Sequence, residues 1–66
     1  MRVLVNNTEI TIFEGATIID AIRTFSQVWA KWLEENKAVV NDRYGNVTMQ
    51  DGELSEGQFI KIRKIR

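Results

Sequence analysis

Residues 17–35, Thr17-Ile-Ile-Asp-Ala-Ile-Arg-Thr-Phe-Ser-Gln-Val-Trp-Ala-Lys-Trp-Leu-Glu-Glu35, decide the fold, because they alone carry helical periodicity in a chain otherwise patterned as strands. Ile18, Ile22 and Phe25 fall at spacings of four and three, so they share one helix face, while Asp20, Arg23 and Thr24 point elsewhere. Thr17, three residues before Asp20, supplies the N-cap and N3 acceptor of a capping-box-like start. The apolar stripe continues through Trp29 and Trp32 without Pro or Gly, so either one helix runs from Thr17 to Glu35 or Ser26 caps a second one. Nineteen helical residues would span about 28 Å at about 1.5 Å each, more than five-residue strands of about 17 Å can cover. Length therefore favours a break near Ser26.

Outward from this segment the pattern changes to period two. Before it, Glu14-Gly15 interrupts two alternating runs. Arg2 to Asn6 sets Met1, Val3 and Val5 against Arg2, Leu4 and Asn6, and Glu9 to Phe13 sets Ile10 and Ile12 against Glu9, Thr11 and Phe13. Asn6-Asn7-Thr8 joins them as a tight turn, since Asn tolerates positive φ, so a β-hairpin opens the chain. After the helical stretch, Asn36 is placed to close it in the left-handed conformation, and Lys37 to Asn41 (KAVVN) reads as a short buried strand. Asp42 to Asn46 is a turn with Gly45 placed for positive φ, Val47 to Met49 a weak strand, and Gln58 to Ile65 (QFIKIRKI) the strongest strand. The reading is one domain over 1–66, of α+β class: a mixed sheet of four to five strands with one main helix packed across one face.

Composition narrows the function. The 66 residues are 44% hydrophobic and 27% charged, values of a folded chain. Nine basic residues balance nine acidic ones, which speaks against nucleic acid or an anionic membrane as a partner. No Cys and no His are present, so thiol chemistry, the commonest metal ligands and the commonest general base are all missing. Asp42, Asp51, Glu53 and Glu56 crowd the turns but lack the spacing of a calcium loop, and turn chemistry accounts for them. Gly15, Gly45, Gly52 and Gly57 are too scattered for a phosphate cradle, and Ser26 and Ser55 have no His to activate them. The expectation is a protein that is not an enzyme and uses no cofactor and no metal. With no spanning segment and no signal-like start, it is also expected to be cytoplasmic.

Taken in order, MRVLVNNTEITI, EGATIIDAI, AVVND and Leu54-Ser-Glu-Gly-Gln-Phe-Ile-Lys-Ile62 resemble the ubiquitin-like β-grasp proteins of the ThiS and MoaD sulfur-carrier family. There the comparable phrases are V-N-G-x-x-x-x-V, E-G-x-T-V-x-x-L and L-x-x-G-D-x-V-x-I. The resemblance covers nearly the whole chain. It implies a sheet ordered 2-1-5-3, with the first and last strands parallel at its centre and the helix across one face. β-Grasp ferredoxins share that fold, but their cluster needs four Cys thiolates and is excluded here. One departure matters: the carriers end in Gly-Gly, which threads into an adenylating activating enzyme, whereas Lys64-Ile65-Arg66 closes this sequence.

The reading that follows is a ubiquitin-like protein-interaction module without carrier chemistry. Its partner would be another protein, met by Leu4, Phe13, Lys61, Arg63 and Ile65, which strand alternation places away from the helix-covered face. One alternative is a sulfur carrier for thiamine or molybdopterin-type cofactor biosynthesis, with a terminal thiocarboxylate at position Arg66 and an activating enzyme as partner. Another is a regulatory domain of TGS type. Lys61, Arg63, Lys64 and Arg66 form a local basic edge, suited to docking an acidic surface or serving as the solvated face of the last strand. Trp29 and Trp32 fit an exposed aromatic anchor or a cap on the core's open end; so small a core favours the cap.

Overall fold

The computed structural model describes residues Met1–Arg66. Its elements are β1 (Arg2–Val5), β2 (Thr8–Thr11), α1 (Ile18–Phe25), α2 (Gln27–Glu34), β3 (Ala38–Asp42), β4 (Val47–Thr48) and β5 (Phe59–Lys64). The five strands form one mixed sheet in the order β2-β1-β5-β3-β4. β1 and β5 run parallel near its centre, and the other neighbouring pairs are antiparallel. The expected order 2-1-5-3 is thus present, with β4 added at the far edge.

Each junction has a local cause. Asn6 and Asn7 hold φ of 50° and 68°, so the two-residue connection from Val5 to Thr8 has the doubly positive φ that matches strand twist in a hairpin. The Asp20 carboxylate accepts from both the Thr17 N–H and the Thr17 hydroxyl at 3.0 Å, fixing the entry to α1. Two further N–H groups of the first turn, on Ile18 and Ile19, donate to the carbonyls of Gly52 and Gln50 at 2.9 and 2.8 Å, so the helix start is tied to the loop before β5.

The helical stretch is two helices of eight residues, broken at Ser26 as its length favours, so the one main helix across the sheet is a pair. Ser26 adopts an extended conformation (φ −165°, ψ 124°), its N–H closing α1 on Ile22 and its hydroxyl accepting from the Trp29 N–H at 3.3 Å to open α2. The break lets two short helices follow a short sheet where one rod would overshoot it. Beyond Glu35, Asn36 takes φ 61°, with Asn36 N–H donating to Leu33 and Lys37 N–H to Trp32, the paired bonds of a Schellman ending.

One face of the sheet is covered. Val3, Val5, Val40, Ile60 and Ile62 point from the strands into a core completed by Ile18, Ala21 and Ile22 of α1 and Ala30 and Leu33 of α2. Trp29 and Trp32 are half-buried against this core, their rings edge-to-face at 5.0 Å, and the Lys64 ammonium sits 4.5 Å from the centre of the Trp32 ring. They therefore close the core's margin, which is the cap role. Phe13 is corrected: β2 stops at Thr11, and Phe13 lies in the turn that follows, its carbonyl accepting from Ala16 N–H. Alternation in the sequence outlasts the strand because the chain leaves the sheet to reach α1. No helix is long and apolar enough to cross a membrane.

Candidate functional site

With both helices on one side, the other face of the sheet has no second layer. Register assembles the residues it presents. Leu4 on β1 stands beside Glu9 on β2 and Phe59 on β5, forming one row across three strands. A second row joins Lys61 on β5, Asn41 on β3 and Val47 on β4, and Arg63 pairs with Val39 next to it. Leu4, Phe59 and Val39 are half-buried without a helix over them, and Lys61 and Arg63 are exposed. Arg43, in the turn after β3, joins Asn41, Phe59, Lys61 and Arg63 around a shallow groove.

Cations predominate on this face, and the one carboxylate lining the groove, Asp42, is engaged by the Tyr44 and Asn46 N–H groups. Arg2 faces Glu9 at 3.8 Å, whereas Arg43, Lys61 and Arg63 have no carboxylate within ion-pair distance. The Arg63 Nε instead donates to the Asn41 side-chain oxygen at 3.3 Å, and the Asn41 amide nitrogen donates to the Gly45 carbonyl at 3.2 Å. Asn41, only 9% exposed, thereby fixes both the Arg63 stem and the following turn.

Of the five contact residues expected from alternation, Leu4, Lys61 and Arg63 come together on the uncovered face. Phe13 and Ile65 do not join them. Because β5 runs parallel to β1, Ile65 lies beyond the end of the sheet where the Asn6-Asn7 turn is, and Phe13 lies beyond the opposite end. Ile65 is held by its N–H to the Lys37 carbonyl at 2.9 Å, and Arg66, the position of the carrier alternative, follows it exposed. Sequence reasoning left out Phe59 and Asn41. Phe59 shares parity with Lys61 and was open to detection by alternation, whereas the role of Asn41 depends on partners up to 22 residues away.

Three carboxylates brace the scaffold behind the site. Glu56 accepts from the Arg2 N–H at 2.6 Å and the Gly57 N–H at 3.1 Å, tying the start of β1 to the turn before β5. That first bond holds its carboxyl below the usual range, as the Thr17 N–H does for Asp20 and the Asn46 N–H for Asp42. Each folded-state pKa is depressed, so each contribution to stability is complete above the unfolded value of about 4 and is lost as pH falls through the folded one. Melting temperature is expected to fall from about pH 5 toward about pH 3, with a shallower slope in Glu56→Gln, which keeps an acceptor oxygen but cannot titrate. Parallel melting curves against pH for the two proteins would refute this assignment.

Comparison with known proteins returns no match to a protein-family model, to a curated protein or to a solved structure.

Proposed function

We propose that this chain is a ubiquitin-like β-grasp module that binds another protein through the uncovered face of its sheet and performs no covalent chemistry. The observation that supports it most is the Leu4–Phe59 pair, half-buried on a face without a second layer and next to the unpaired cations Arg43, Lys61 and Arg63. An apolar centre beside unpaired positive charge suits a partner surface presenting Leu or Phe among Asp and Glu side chains. The β-grasp reading draws its support from the sheet order, with parallel first and last strands, and from the motif resemblance.

A peptide rich in Asp and Glu and carrying Leu and Phe tests this, with its Asn/Gln counterpart as the control. In an amide NMR titration, the acidic peptide is expected to shift Leu4, Val39, Phe59, Lys61 and Arg63, with affinity falling as salt screens the charges. Lys61→Glu combined with Arg63→Glu is expected to weaken binding about tenfold or more, near 1.4 kcal/mol. Shifts confined to the helices, or equal affinity of the double variant, would remove the sheet face from the proposal.

A further inference from the structure

The two free edges of the sheet differ in how they are protected. At one edge, β2 carries Glu9, which faces Arg2, and its Thr8 and Thr11 side chains are polar. Charge of this kind discourages pairing with another strand. At the other edge, residues 44–50, Tyr-Gly-Asn-Val-Thr-Met-Gln, contain no charged side chain in a chain that is 27% charged. Three of its large apolar side chains are bare: Tyr44 at 81%, Val47 at 66% and Met49 at 72% exposure.

The backbone here is also open. The Asp42 N–H donates to the Asn46 carbonyl, and Val40 pairs with Thr48, so the alternation of an antiparallel ladder turns Thr48 toward β3 and Val47 away from it. The N–H and carbonyl of Val47 thus face outward, one donor and one acceptor side by side. Such a pair is complementary to itself under a two-fold rotation. Placing Val47 opposite its own copy lets the two residues exchange both hydrogen bonds and brings two Val side chains together on one face. Beyond β4 the chain turns back on both sides, the Gly45 N–H donating to the Asp42 carbonyl before it and the Gly52 N–H to the Met49 carbonyl after it, so the pairing is short and centred on Val47.

We propose that the β4 edge is a homodimer interface, where a second copy of this chain pairs antiparallel at Val47 to give a continuous ten-stranded sheet. The dimer uses the outward backbone of Val47 and leaves Leu4, Phe59, Lys61 and Arg63 of the uncovered sheet face to their own partner.

Sedimentation equilibrium over about 10 μM to about 1 mM tests it by mass action. The wild-type mass is expected to rise from 7.7 kDa toward twice that value. Val47→Lys and, separately, Met49→Lys are expected to stay monomeric at every concentration while keeping the wild-type circular dichroism. Thr11→Lys, at the other edge, is expected to dimerise like the wild type. A measurement that needs no variant is amide exchange at Val47, expected to slow as protein concentration rises. A wild-type mass fixed at the monomer value, loss of the dimer in Thr11→Lys instead, or concentration-independent exchange at Val47 would each overturn the proposal.

Discussion

Ile60→Ala is expected to leave a large fraction of the chain unfolded at 25 °C. Ile60 has no exposed surface and lies in the central strand, opposite Val5 on β1 and Asp42 on β3. Truncating a buried Ile to Ala costs about 2 to 5 kcal/mol, because the removed methyl groups lose their burial and the cavity they leave closes only in part. A core of this size, without disulfide or metal, supplies about 3 to 5 kcal/mol in all. The two ranges overlap, so a single substitution can consume the whole margin. Urea unfolding followed by Trp fluorescence is the direct measurement, since Trp29 and Trp32 pack on the same core. Ile60→Val, which keeps most of the volume, is expected to cost about 0.5 to 1.5 kcal/mol and remain folded. A midpoint for Ile60→Ala within error of that for Ile60→Val would show that the centre of the sheet does not carry the fold.

Ile60 also illustrates what the sequence makes legible. Its burial follows from parity: in a strand half-covered by helices, alternate positions see different solvents, so Val3, Val5, Ile60 and Ile62 declare the covered face and Lys61 and Arg63 the other. The break at Ser26 was readable from lengths alone, and the left-handed residue at Asn36 from the chemistry of helix ends. Parity fails where a strand stops being a strand. Phe13 continues the alternation of Glu9 and Thr11 by spelling only, because what ends β2 is the departure of the chain toward Thr17. The candidate surface divides the same way. Leu4, Lys61 and Arg63 lie within paired strands and fall where alternation puts them, whereas Phe13 and Ile65 belong to strand ends, which only tertiary contacts fix. Asn41 escaped because a polar residue buried on an uncovered face is explained by what reaches it, the Arg63 guanidinium and the Gly45 carbonyl, and neither is visible in local spacing.

Asn6 couples the hairpin to the centre of the sheet, and its replacement is expected to give the next largest loss of stability. β1 and β5 share only two backbone-paired positions, Leu4 with Phe59 and Val5 with Ile60, before the chain turns away at Asn6. There the Asn6 N–H donates to the Ile60 carbonyl at 3.1 Å, and its side chain then imitates the next strand residue. Its oxygen accepts from the Ile62 N–H at 2.9 Å and its amide nitrogen donates to the Ile62 carbonyl at 3.2 Å. The side chain thus prolongs a ladder that the backbone has left. Asn6→Gly accommodates the φ of 50° and deletes both side-chain bonds, for an expected cost of about 1 to 3 kcal/mol. Asn6→Ala deletes the same bonds and forces a Cβ residue without a polar group into the left-handed region, adding about 1 kcal/mol. Asn6→Asp keeps an acceptor for the Ile62 N–H but sets a carboxylate oxygen against the Ile62 carbonyl, so it should also lose stability. Equal stability of Asn6→Gly and wild type would mean that water serves Ile62 as well as Asn6 does, and equal stability of the Gly and Ala variants would mean that the turn bears no strain. Because this contact holds the register that sets Leu4 beside Phe59, Asn6→Gly is also expected to broaden the amide resonances of Leu4 and Phe59 before the fold is lost, which ties the turn chemistry of one asparagine to the shape of the docking face.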